Sequence, residues 1–142
     1  MNCYDSSHKI VESLRRYSWE SGMTHPCEKD LASYIQLFGE IGVDILRMKA
    51  LRAGAATYAD LIKALSHCAL VTQELRSCIV RTGLAHKDIQ VRDAAITAAE
   101  NWEGADLADI LAAHDEKEGW LREYMAQVIV NLRIPEVGHG RE

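Results

Sequence analysis

The chain has 142 residues and a formal charge of −5, a length that fits one domain burying roughly two-thirds of its unfolded surface. No apolar run approaches the ~20 residues needed to span a bilayer, and the opening MNCYDSSHKIVESLRR lacks the apolar core of a secretory leader. Phe occurs once and Pro twice, and no Val/Thr/aromatic run bounded by turn residues reads as a strand, so the expected class is all-α; with neither span nor leader and with cysteines that suit a reducing compartment, a cytoplasmic location is expected.

The first helix is expected from Ser7 to Ser21, with Ile10, Val11, Leu14 and Tyr17 on one stripe and Gly22 as a stop. Pro26 opens the second, where its missing N–H is no loss. Leu31, Tyr34, Ile35, Phe38, Ile41, Ile45 and Leu46 carry an apolar face to about Arg52. Gly39 and Gly42 lie inside it, each costing up to ~1 kcal/mol relative to Ala. The helix therefore either breaks there or lets a neighbour pack close against its bare backbone, and one long, kinked helix is expected. After Gly54, Thr57 and Asp60 form a capping box. From Tyr58 to Thr82 there is no Gly or Pro, which predicts one long third helix, with Ser66–Cys68 as the place for any break. Residues 7–82 should then form an antiparallel long-helix bundle. Cys68 and Cys78 would share that third helix, about 15 Å apart and too distant for a disulfide. With Cys3 and Cys27 they are expected as free thiols.

Gly83 ends this run, and helices are expected from Asp88 to Trp102, from Asp106 to Ala113, and from Lys117 to Leu132. Pro135 forbids continuation, leaving 133–142 as a tail. The first and last of these three share a pattern. DIQVRDAAITAAENW at 88–102 lies over EGWLREYMAQVIVNL at 118–132, thirty residues apart. Asp88 matches Glu118, Val91-Arg92 matches Leu121-Arg122, and Ala94-Ala95 is followed in the second segment by Ala126. Residues 84–132 thereby resemble the HEAT-like repeats of the phycobilisome-lyase type. The resemblance implies stacked helical units in which Arg92 and Arg122 serve as scaffold. Trp120 and Tyr124 depart from its small-residue pattern. A plainer origin is also open, since Asp88–Arg92 and Glu118–Arg122 are i, i+4 pairs worth a few tenths of a kcal/mol on any helix surface, and an acid at a helix start suits the macrodipole.

Charge is unevenly placed. Between 88 and 123 stand ten carboxylates against Arg92, Lys117 and Arg122, a net of −7. Such a surface repels duplex DNA and anionic lipid and attracts a basic protein. Trp102, Glu103, Asp106, Asp109, Asp115, Glu116 and Trp120 are the candidate partner-binding residues, tryptophan being enriched at binding hot spots. The bland alternatives are a solvated acidic face and tryptophans that close the core at helix junctions.

Chemistry is sparse. Gly39-Glu-Ile-Gly42 lacks the spacing of a phosphate loop, and there is neither Gly-x-Ser-x-Gly nor His-Glu-x-x-His. His25 with Cys27 and His67 with Cys68 lack the two-residue gap that lets ligands converge on zinc. No cofactor, metal or catalytic residue is expected. Some HEAT-like enzymes bind iron through His-Glu pairs, but only His114-Asp115 occurs here, so the resemblance does not carry that activity over. The expected function is a non-enzymatic interaction module binding a basic protein surface, in a neutralising (immunity-type) or adaptor role. The alternative is a helical enzyme or cofactor scaffold using His and carboxylate groups assembled by the fold. Homo-oligomer formation through the alanine-rich face at 94–99 is a third reading.

Overall fold

In the computed structural model, residues 2–17 and 24–134 are described, and all regular structure among them is helical. The helices are α1 Cys3–Arg16, α2 Glu28–Ala53, α3 Ala55–Leu65, α4 Gln73–Leu84, α5 Ile89–Trp102, α6 Ala105–Ala112 and α7 Gly119–Arg133. None of them is long and apolar enough to cross a membrane.

α1 begins earlier than its apolar stripe suggests, because the Asn2 side chain caps it by accepting from Asp5 N–H at 2.8 Å. It ends at Arg16 with Tyr17 extended, so it stops short of the expected Ser21. Residues 18–21 of that expectation, Trp19 included, lie outside the described residues. α2 is two helical segments meeting at a kink at Gly39, whose φ of 64° and ψ of −151° are non-helical and closed to most side chains. Across the bend the Tyr34 hydroxyl donates to the Gly42 carbonyl. Gly39 turns the axis, whereas the crowding at Gly42 comes from Phe38 and the Tyr34 ring of α2 itself and not from a neighbouring helix.

The single long helix expected from Tyr58 to Thr82 is two helices. Ser66 Oγ donates back to the Lys63 carbonyl at 2.6 Å, and Asn101 donates to Ser66 Oγ at 3.0 Å. Arg76 Nε donates to the Val71 carbonyl at 2.8 Å, while Val71 itself is buried in the core. Thr72 then caps α4 by accepting from Leu75 N–H. Side chains, not Gly or Pro, make this turn. Cys68 lies in it and Cys78 on α4, so the two do not share a helix, and the described cysteines are all free.

α2 and α3 pack together across the one-residue corner at Gly54, α4 and α5 across 85–88, and α6 and α7 across 113–118. Successive pairs stack in two rows. α3, α5 and α7 touch in order along one row, and α4 touches α6 along the other. α2 joins the second row through Arg47 to Thr82 (2.7 Å) and Thr72 to Glu40 (3.2 Å). α1 lies against α2 and α3. One core runs through the stack from Leu14 to Val128. At its middle α4 and α5 approach closely, since a Cβ on Gly83 would fall 2.8 Å from that of Ala95.

Candidate functional site

The turns that open α5 and α7 are built alike. His86 Nδ1 accepts from Asp88 N–H at 3.0 Å, and thirty residues later Glu116 Oε2 accepts from Glu118 N–H, also at 3.0 Å. Arg92 Nη1 donates to the carbonyls of His86 and Lys87 at 3.2 and 2.7 Å. Arg122 Nη1 donates to those of Glu116 and Lys117 at 3.2 and 3.4 Å. In each helix the arginine reaches back to tie down its own entrance. Buried positions keep the same register: Val91 with Leu121, Ala95 with Met125, and Ala98 with Val128.

Between the two units runs a clasp. Arg92 Nε and Nη2 meet both carboxylate oxygens of Glu116 at 2.9 and 3.2 Å, and His114 Nε2 lies 2.9 Å from Oε1. The Glu116 side chain is 1% exposed. Burial by itself would raise its pKa, but the bonds from Arg92, His114 and the Glu118 N–H outweigh that and hold it at about 2. The group is therefore an ionised carboxylate locked inside the scaffold. It joins consecutive helix pairs and offers nothing to an outside partner.

The remaining candidate residues are distributed around α6. Trp102 is 9% exposed and closes the core at the end of α5, with the Arg76 guanidinium 5.5 Å from its ring. Its indole N–H is buried without a hydrogen-bond partner among the described residues. Glu103, exposed, forms the α5–α6 corner at φ 64°. Asp106 accepts from Gln73 (3.2 Å) and Ser77 (3.3 Å), fastening α6 to α4. Asp109, exposed, meets Arg133 at 2.8 Å. Asp115, at the other end of α6, meets Lys117 at 2.6 Å, which holds its carboxyl below the usual range. Trp120 is 54% exposed on α7. The seven thus divide among a core plug, a clasp, a strut and scattered surface groups, with the corner and the turn separated by the length of α6, roughly 12 Å.

Beside Asp109 the structure adds a feature with no local sequence signature. A cavity of about 420 Å³ opens between the ends of α4 and α6, with Leu84, Ala85, Ile110 and Ala113 as apolar lining and Arg81, Asp109 and His114 as polar groups. Residues from two helices make it, so only their stacking brings it into being. Among the described residues, no group of three or more His, Cys, Asp or Glu side chains is placed to hold a metal ion. His25 instead accepts from Cys27 N–H at 3.1 Å, and burial pushes the Cys27 thiol up to about 12.

The fold and these sites describe an all-helical stack with an acidic, grooved C-terminal half. Compared with family models, curated proteins and solved structures, the chain matches none of them.

Proposed function

We propose that the chain is a protein-binding module whose C-terminal half is HEAT-like, and that the α4–α6 groove receives a basic, apolar-flanked segment of a partner protein, in a neutralising or adaptor role. The observation that carries this reading is the apolar groove lying directly against Asp109 on the most acidic part of the chain. Apolar side chains of the partner would fill the space over Leu84, Ile110 and Ala113, and a cation flanking them would meet Asp109, the carboxylate of the lining. The Asp109–Arg133 pair is no obstacle, because both side chains are half-exposed or more and such surface pairs contribute little. Glu103 adds negative charge at the far end of α6.

The test is affinity capture by the full chain, comparing wild type with Asp109→Lys and Ala113→Arg. Both residues are exposed and line the groove. Asp106 is left intact because it fastens α6 to α4. Each substitution should lower recovery of a basic partner by roughly tenfold, the effect of losing about 1.4 kcal/mol of binding. Recovery equal to wild type for both variants removes this reading.

A further inference from the structure

Arg92 and Arg122 use the same atoms for the same local task, yet only one of them is complete. Each gives Nη1 to two carbonyls of its own turn. Arg92 then directs Nε and Nη2 at the carboxylate of the next unit, Glu116. The corresponding Nε and Nη2 of Arg122 have no hydrogen-bond partner among the described residues, and the residue is exposed. A guanidinium edge of this kind matches the two oxygens of a carboxylate, and the carbonyl bonds already fix its direction.

The surroundings differ in the same sense. Ile96 is wholly buried, whereas its counterpart Ala126 is exposed. Asp93 and Thr97 are half-buried, whereas Glu123 and Gln127 are exposed. In the first unit the covering helix is α7, whose Tyr124 hydroxyl donates to Glu100 at 2.6 Å and lies 3.2 Å from Thr97. On α7 the matching strip, together with Trp120 at 54% and Val130 at 61% exposure, has no covering helix among the described residues.

We infer that this strip of α7 is a docking end for a partner protein's helical hairpin, whose inter-helix turn supplies a carboxylate to Arg122 as the α6–α7 turn supplies Glu116 to Arg92. The occupant's chemistry follows from the interface that the strip continues: an acidic side chain at the entrance of a helix, with an apolar and aromatic flank over Ala126 and Val130. The surface shares no residue with the α4–α6 groove, so the two sites can fail separately.

A photo-crosslinking side chain placed at Gln127 of the full chain, in the cells that make it, tests this directly. The expected adduct joins position 127 to another protein, at a peptide bearing Asp or Glu beside a helix start. Its yield should fall roughly tenfold or more with Arg122→Glu, through lost pairing and like-charge repulsion. Ala126→Arg, which leaves the Arg122 carbonyl bonds in place, should do the same, and circular dichroism of both variants should match wild type. Adducts confined to residues 135–142 of the same chain or to a second copy, adducts indifferent to both substitutions, or the absence of any adduct would each overturn it.

Discussion

The two C-terminal units begin with matching turns and end in different surroundings. His86 and Glu116 each cap the N–H two residues on, and Arg92 and Arg122 each hold two carbonyls behind them. But Arg92 is enclosed by the following helix pair and matched with a buried carboxylate, whereas Arg122 faces solvent. One residue type in one local geometry therefore closes a buried ion pair where the next helix pair covers it, and stands exposed on α7, which no described helix covers in the same way. Position in the stack, rather than local sequence, decides which.

The largest expected difference comes from deleting the two guanidinium groups in turn. Arg92→Ala strands a buried carboxylate and should cost about 3 kcal/mol, near the lower end for a broken buried pair. Arg122→Ala loses two bonds to backbone carbonyls and strands no buried charge, and should cost about 1 kcal/mol. Urea unfolding of both variants measures the contrast, and equal costs would show that the enclosure of Arg92 contributes nothing.

Acid sharpens the same comparison. The Glu116 carboxyl is depressed from an ordinary 4.5 to about 2 in the folded chain. Its stabilisation is thus fully present above pH 4.5 and is lost as pH falls through about 2. The contribution is roughly 3 kcal/mol over that window. Glu116→Gln should be less stable at neutral pH and should show a flatter stability profile between pH 5 and pH 2. Parallel profiles for wild type and variant would mean that the clasp carries no such linkage.

The smallest contrast lies at the helix caps. Asp88 Oδ1 accepts from Gln90 N–H at 2.8 Å, while Glu118 makes no side-chain cap bond. Asp88→Ala should cost about 1 kcal/mol, and Glu118→Ala only a few tenths, from the macrodipole alone. Thermal melts of the pair will show whether the two entrances are equal in energy as well as in shape.

Much of this was legible in the sequence, because helices announce themselves through spacing. The α5–α6–α7 series follows Asp88, Gly104 and the apolar positions of each segment. The bend in α2 follows from Gly39. For the 66–72 turn the sequence marks the place of a break but not that the helix breaks, since that depends on Asn101 reaching Ser66 through space while the residues on either side keep helical spacing. Nor was the fate of Glu116 legible. In a count of charges it resembles Asp115 beside it, yet one is buried and the other 80% exposed at its side chain. The 30-residue offset did hold the answer in part, since it sets Glu116 over His86, and that pairing needed the hydrogen bonds to become meaningful.

The turn at 66–72 has one more consequence. With no glycine or proline to forbid helix there, the corner between α3 and α4 is held by Asn101 from α5, by Arg76 reaching back from α4 and by the buried Val71 side chain. Without Asn101 and Arg76 the helical spacing on either side would favour helix through the corner, and the burial of Val71 in the shared core would be what opposes it.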